Sequence, residues 1–241
     1  MIVPDIARRL LAFGRDRGFL RVLRSCVGWA VGWVAGRPRA GRVSRTTFRW
    51  DGRDVPYFSH RYNYTWLNER AVEVALALEV LGEHDGQDVL EIGNVLGHYA
   101  PVDHVVVDRY ERAPGVMNVD VVDLELDRKF DLVLAVSTLE HVGLDEETKD
   151  PAKAGRAVDR LRSFLKPGGL LWVTLPVDYN PDLDQQVRTG ELGFTRLRAL
   201  RRDDHRNRWR EVPVDDVWSA RYDRLLYTAH GVVVGEYDAP D

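Results

Sequence analysis

The residues of this chain that could do chemistry stand just behind short apolar runs. Val89-Leu90 leads into Glu91-Ile92-Gly93-Asn94-Val95-Leu96-Gly97. Glycines at such a place let a ligand approach the backbone closely, because no side chain intervenes. Asp108 follows seventeen residues after Glu91, directly behind Val105–Val107. A carboxylate there can accept hydrogen bonds from both hydroxyls of a ribose. Asp120, Asp123 and then Ser137-Thr138-Leu139-Glu140-His141 come next, the last group behind Leu132–Val136. His141 is the residue suited to proton transfer, since an imidazole titrates near neutrality and can act as a general base. The alternative is a histidine that only satisfies a backbone carbonyl at a strand end. Asp131 reads as structural. His60, His84, His98, His104, His205 and His230 show no zinc-ligand spacing, and Cys26, the one cysteine, excludes a cysteine-rich zinc site. No nucleophile elbow and no Walker loop is present.

Bringing these residues together requires a particular set of elements. Val89–Ile92, Val105–Val107, Leu132–Val136 and Leu170–Leu175 have the continuous apolar character of parallel strands covered on both faces. A helix fits between the last two, with Asp150 as N-cap, Pro151 at its first position and Lys166-Pro167-Gly168-Gly169 as its stop. The expected class is therefore α/β, with ligands beyond the carboxyl ends of the strands. About a dozen residues separate the first two strands, near the minimum for a parallel crossover. The short span from Asp108 to Val116 predicts a short or irregular third strand. Upstream, Thr46–Trp50 and Val55–Phe58 around Asp51-Gly52 predict a hairpin, and Asn68–Leu81 predicts a helix. The stretch Arg196–Arg210, in which seven Arg are interspersed with Asp203 and Asp204, reads as a solvated helix face.

Over residues 86–180 the ordered series of motifs resembles the class I S-adenosylmethionine-dependent methyltransferases. Val89-Leu90-Glu91-Ile92-Gly93 looks like their first motif. Asp120-Val121-Val122-Asp123-Leu124 is similar to their adenine-contacting segment, and Asp123 there either touches adenine or caps a turn. Ser137-Thr138-Leu139-Glu140-His141-Val142 resembles a motif of ubiquinone-biosynthesis methyltransferases, and Leu165-Lys166-Pro167-Gly168-Gly169-Leu170-Leu171 their approach to the fifth strand. The nearer likeness, carried by Glu91–Tyr99 and Val106–Glu111, is to bacterial methyltransferase-like proteins, some encoded near surface-glycan genes. The resemblance implies a Rossmann-like, mostly parallel sheet of the seven-stranded type with helices on both faces. It implies S-adenosylmethionine as cofactor, held by Glu91, Gly93, Asn94, Gly97, Asp108, Arg109, Asp120, Val121 and Ser137. In it Asp108 meets the ribose and Asp120 the adenine amino group, while Glu91 orders the loop or reaches the cofactor through water. One departure stands out: Val95 occupies the place of the usual middle glycine.

The 241 residues, 44% hydrophobic and 30% charged, suit one sizeable α/β domain, expected over 46–241. Residues 1–45 read as a basic helical arm and linker: the first 50 residues carry eleven Arg against Asp5 and Asp16, although the whole chain is at −4. One amphipathic helix is expected over residues 2–13. A second, Phe19–Ala35, groups Phe19, Leu20, Val22, Leu23, Val27, Trp29, Trp33 and Val34 on one face, with Gly28, Gly32 and Gly36 elsewhere. That face suits the cytoplasmic membrane surface, the catalytic domain or a second subunit in a homodimer. No apolar stretch reaches the roughly 18 residues of a membrane span, and the apolar core is too short for a secretory signal. The expected reaction is methyl transfer, at oxygen, to a small-molecule or lipid-linked glycan acceptor, in the cytoplasm or at the inner membrane surface. A methyltransferase-fold scaffold without catalysis is the first alternative. A nucleic-acid methyltransferase is the last, because the body is acidic and no Asn-Pro-Pro-Tyr-like motif comes after the fourth strand. Tyr62-Asn63-Tyr64-Thr65-Trp66 reads either as a cover for the cofactor or substrate or as packing at a helix start.

Overall fold

The computed structural model describes residues 19–37, 41 and 46–241. The helix expected over residues 2–13 and most of the basic linker lie outside these. Helix α1 (Phe19–Gly36) leads to a hairpin of β1 (Thr47–Trp50) and β2 (Arg53–Pro56). Asp51 and Gly52 turn it with φ of 49° and 73°, the paired positive angles that such two-residue loops demand. Helix α2 (Arg70–Glu83) comes next.

The main sheet then begins with β3 (Val89–Ile92), β4 (Val105–Val107), the two-residue β5 (Val116–Met117) and β6 (Phe130–Val136). Helix α3 (Lys153–Arg162) crosses to β7 (Leu165–Pro176), and α4 (Pro181–Arg188) to β8 (Arg196–Arg202). Strand β9 (Trp209–Val212), a single turn α5 (Val214–Val217) and β10 (Gly231–Asp238) complete the chain. The spatial order is β5-β4-β3-β6-β7-β10-β8-β9. β5 through β7 are parallel, and β10 runs antiparallel between β7 and β8. This is the mostly parallel Rossmann-like sheet expected, with eight strands rather than seven.

Alternation along β6 builds two cores, as the pleat requires. Val133 and Ala135 face α3 and α4 through Ala157, Val158, Leu161 and Leu183. Leu132, Leu134 and Val136 face α2 and the hairpin through Val72, Leu76, Phe48 and Trp50. Both faces are thus covered, and Leu132–Val136 accordingly carry no polar residue.

Three expectations need correction. Helix α3 begins two residues later than expected, with Ala152 rather than Asp150 as its N-cap; the Asp150 carboxylate instead accepts from the Ala152 amide in the turn before it. Lys166-Pro167-Gly168-Gly169 does not stop a helix directly; it lies within β7 as a bulge, since β6 pairs Phe130 with Leu165 but Leu132 with Leu170. The basic stretch from Arg196 forms strands β8 and β9, not a helix face. There Ala199 and Leu200 are buried, and the arginines pair with acids of neighbouring segments: Arg198 with Glu236 at 2.8 Å and Arg210 with Asp203 at 2.7 Å. Pairing accommodates the charge of Arg198, while Arg196, Arg206, Arg208 and Arg210 are exposed to solvent as expected.

Candidate cofactor and catalytic site

The chain runs β3, β4, β5 to one side and then returns to place β6 on the other side of β3. Their carboxyl ends flank a topological switch point, the place where open α/β sheets bind ligands. A cavity of about 300 Å³ opens there, at the lower end of the range for small-molecule sites. Gly93, Asn94, Asp108, Arg109, Asp120, Val121, Ser137 and His141 all line it; Glu91 and Gly97 do not.

The loop behind β3 explains that division. Glu91 is fully buried, and its Oε1 accepts hydrogen bonds from the amides of Val95 and Leu96 at 2.9 and 2.8 Å. His104 Nε2 lies 2.7 Å from its other oxygen. Glu91 therefore shapes the loop from behind. Val95, at φ −91°, needs no glycine, so the departure from the usual pattern costs no strain. Gly93 is needed twice over: its φ is +81°, and a Cβ there would sit 2.2 Å from Thr138 Oγ1. Gly97 makes room for the Asn94 side chain, whose Oδ1 would be 2.4 Å from a Cβ.

Asp108 ties two loops together. One oxygen accepts from the Asn94 amide at 3.1 Å; the other accepts from the amides of Tyr110 and Glu111, both at 2.8 Å. Oδ1 is filled by its two amides, whereas Oδ2, with one donor, retains lone-pair capacity for a ligand hydroxyl. Glu111, which sequence reasoning passed over, also lines the cavity; it accepts from Asn94 Nδ2 at 2.7 Å and lies 3.0 Å from His98 Nε2. Tyr62 stacks on His98 at 4.2 Å and closes this side.

Asp120 sits in a four-charge cluster. Its Oδ1 accepts from the Val122 amide, and its Oδ2 meets Lys153 Nζ at 2.6 Å and Arg109 Nη1 at 2.7 Å. Glu146 completes the cluster, 2.8 Å from Arg109 and 2.7 Å from Lys153. Partial burial acts to raise the Glu146 carboxyl, but hydrogen bonds from Lys153 and Arg109 outweigh it and bring it to about 2. Asp120 thus borders the cavity with both oxygens already engaged. Arg109 bridges two acids beside it.

The floor comes from β6. Ser137 is buried with φ +42°, an unusual angle for serine, held by its amide donating to the Thr174 carbonyl and its hydroxyl donating to Glu73 Oε1 at 2.5 Å. Ser137 supplies a wall, therefore, rather than a free hydroxyl. Arg70, also missed from the sequence, projects into the cavity while donating to the Val136 carbonyl and pairing with Glu73 at 3.4 Å. Around it Glu69 and Glu140 are buried carboxyls. Burial first, then repulsion from Glu73, pushes Glu69 up to about 7, and burial pushes Glu140 well above the usual range.

His141 is half-exposed at the cavity edge. Its Nδ1 lies 2.5 Å from Asp145 Oδ2, an oxygen that also accepts from the Tyr179 hydroxyl at 2.6 Å. The Tyr179 ring meets the imidazole edge-on at 4.6 Å. Partial burial would raise Asp145, but the hydrogen bonds from His141 and Tyr179 prevail and hold it below the usual carboxylate range. With Nδ1–H donated to this carboxylate, Nε2 is the atom left to accept a proton. Asp145 stands four residues beyond His141, a spacing legible in the sequence; Tyr179 carries no such signal. Among the described residues no group of three His, Cys, Asp or Glu is arranged to hold a metal ion.

These residues fit S-adenosylmethionine. Carboxylates of Asp108 and Glu111 suit a ribose diol, Ile92, Val107, Val119 and Val121 offer apolar wall to a base, and Arg70 offers a cation to a carboxylate. The Gly93 cradle has no room for a side chain.

No family model and no curated protein matches this chain. Among solved structures it is similar to the N-methyltransferase NodS of Bradyrhizobium japonicum bound to S-adenosylhomocysteine, at 15% identity and TM-score 0.45, covering 72% of this chain and 88% of that one. It is also similar to a SAM-dependent methyltransferase of Thermotoga maritima, described as a possible histamine N-methyltransferase, at 19% identity and TM-score 0.44, covering 72% and 93%. A third is the 1,6-didemethyltoxoflavin-N1-methyltransferase of Burkholderia thailandensis, solved with its substrate and S-adenosylhomocysteine, at 16% identity and TM-score 0.42, covering 70% and 79%. The chain is similar in this way to S-adenosylmethionine-dependent methyltransferases acting on varied acceptors.

Proposed function

We propose that residues 46–241 form an S-adenosylmethionine-dependent methyltransferase domain whose acceptor is a small molecule or a glycan. One observation carries this reading: at the switch point of a doubly wound sheet, a glycine floor, two carboxylates and a carboxylate-held histidine converge on one cavity. When bound, the cofactor supplies a sulfonium-activated methyl group. Asp108 and Glu111 accept from its hydroxyls, Gly93 and Asn94 let it lie against the backbone, and Arg70 pairs with its carboxylate. Arg109, Asp120 and Val121 border the base end. His141 Nε2 takes the proton of the acceptor atom, oxygen in our reading, and Asp145 keeps the imidazole in the tautomer that can do so. Holding the acceptor in line can contribute on the order of 7–11 kcal/mol in favourable cases.

The arm, in this proposal, places the enzyme at the cytoplasmic face of the inner membrane, where a lipid-linked glycan would be presented. No described helix is long and apolar enough to cross a bilayer. Calorimetry with S-adenosylhomocysteine, with NAD and adenosine as controls, tests the cofactor assignment. We expect saturable binding of S-adenosylhomocysteine stronger than that of either control. Equal or stronger binding of NAD would overturn it, as would no binding at all. Cofactor binding with no transfer to any acceptor would favour the scaffold alternative.

A further inference from the structure

Helix α1 presents two apolar faces, and the sequence pattern alone merged them. Trp29 and Trp33, expected on one face with the other apolar residues, turn toward the catalytic domain, one of the covers the sequence left open. They stack on one another at 6.5 Å and meet Tyr64 edge-on at 6.0 and 6.3 Å. Trp66 Nε1 donates to the Gly32 carbonyl at 3.1 Å. The approach is close enough that a Cβ on Gly36 would lie 2.1 Å from the Trp66 ring and one on Gly32 2.7 Å from Leu67. The opposite face carries Phe19, Leu20, Leu23, Val27, Val31 and Val34, each between 53 and 76% exposed. A continuous apolar stripe of this kind marks an interaction surface.

The inner face matters because of what it grips. Tyr62 and Asn63 line the cofactor cavity, and Asn63 and Tyr64 both adopt left-handed backbone angles, φ 52° and 46°. Such conformations in non-glycine residues persist only when the surroundings hold them. Here the holders are the Asn68 side chain, which donates to the Asn63 carbonyl, and the aromatic clasp of α1 on Tyr64 and Trp66.

We propose that the exposed stripe of α1 docks on an anionic lipid surface, and that docking steadies the Tyr62–Leu67 segment over the cavity and so tightens cofactor binding. The proposal rests on the methyltransferase reading for the identity of that cofactor. Charge selects the occupant. The only charged residues of α1 are Arg21 and Arg24, Arg37 comes immediately after, and the first 50 residues hold eleven Arg against two Asp. Two copies meeting through this stripe would bring like charges together, whereas anionic headgroups neutralise them. Fixing α1 on a surface reduces the freedom of everything clasped to it, so two events on opposite sides of the helix become coupled.

The test uses the full chain and vesicles of phosphatidylcholine, with and without phosphatidylglycerol. Flotation is expected only with phosphatidylglycerol, and calorimetry should show S-adenosylhomocysteine bound about fivefold or more tightly on those vesicles than in solution. The double substitution Leu23→Glu with Val31→Glu should abolish flotation and leave affinity in solution unchanged. Tyr64→Ala should still float but lose the gain in affinity. Equal flotation on neutral vesicles, or flotation with no gain in affinity, would overturn the proposal. So would a chain that stays in solution as a dimer and becomes monomeric with the Glu substitutions. If S-adenosylhomocysteine binds neither in solution nor on vesicles, the cofactor reading and the coupling fall together, while flotation still decides whether the stripe meets lipid.

Discussion

Replacing Asp108 with Asn probes the site at its most connected residue. The carboxylate accepts three backbone amides, one oxygen facing Asn94 at 3.1 Å and the other facing Tyr110 and Glu111 at 2.8 Å. A carboxamide has the same shape but only one acceptor atom. If that oxygen stays with Tyr110 and Glu111, the new NH2 group faces the Asn94 amide, donor against donor. Leaving a partly buried amide unpaired costs about 1–3 kcal/mol, and because Asn94 is half-buried on the cavity wall the loss falls toward the lower end. The cofactor's ribose loses a charged acceptor besides, worth about 1.5–3 kcal/mol, or roughly 10- to 150-fold in affinity. Two assays separate the effects: urea unfolding should lose about 1 kcal/mol, while calorimetry should show S-adenosylhomocysteine weakened at least tenfold. Affinity within about twofold of the parent would refute the ribose assignment. Unchanged unfolding would refute the claim that Asp108 ties the two loops.

Neighbouring geometry sets further outcomes. Gly93→Ala combines a left-handed angle with a 2.2 Å approach to Thr138 Oγ1. It should lower stability by about 2–4 kcal/mol in urea, and Thr138→Ala in the same chain should recover part of the loss. Glu146 sits at about 2 in the folded chain against an ordinary 4.5, so its contribution is complete above about pH 4.5 and disappears as pH falls toward 2. Thermal unfolding across that window should therefore show a shallower loss of stability in Glu146→Gln than in the parent. Once an acceptor is identified, His141→Ala should cut turnover roughly 10²- to 10⁴-fold with cofactor affinity nearly intact. Asp145→Asn should lower kcat more than it changes KM; an effect confined to KM would remove Asp145 from the proton path.

Local pattern decided a good deal. The bounds of β3 and β4 coincide with their short hydrophobic runs, because a strand covered on both faces admits a polar residue only where it is fully hydrogen-bonded, as Glu91 is. The hairpin turns at Asp51-Gly52 because few other pairs accept two positive φ angles. The brevity of β5 was legible from the short span between Asp108 and Val116, and the residues behind β3, β4 and β6 singled out in the sequence border a cavity. Those are short-range properties, set by side chains and backbone within a few residues.

Tertiary structure alone decided the rest. Nothing near Arg70 announces that its guanidinium will reach the carbonyl of Val136, or near Tyr179 that its hydroxyl will share an oxygen with His141. Glu91 and Ser137 stand in motif positions, yet burial turns one toward backbone amides and the other toward Glu73. Arg198 of β8 looked solvated because its acidic partners, Glu236 and Asp51, lie far away in the chain. Trp29 and Trp33 share a helical stripe with Leu20 and Val34, and only the docking of α1 onto Tyr64 separates the two sets. Periodicity reports that a face is apolar. The cover of that face depends on which distant segments the sheet order brings beside it, and no run of neighbouring residues encodes that.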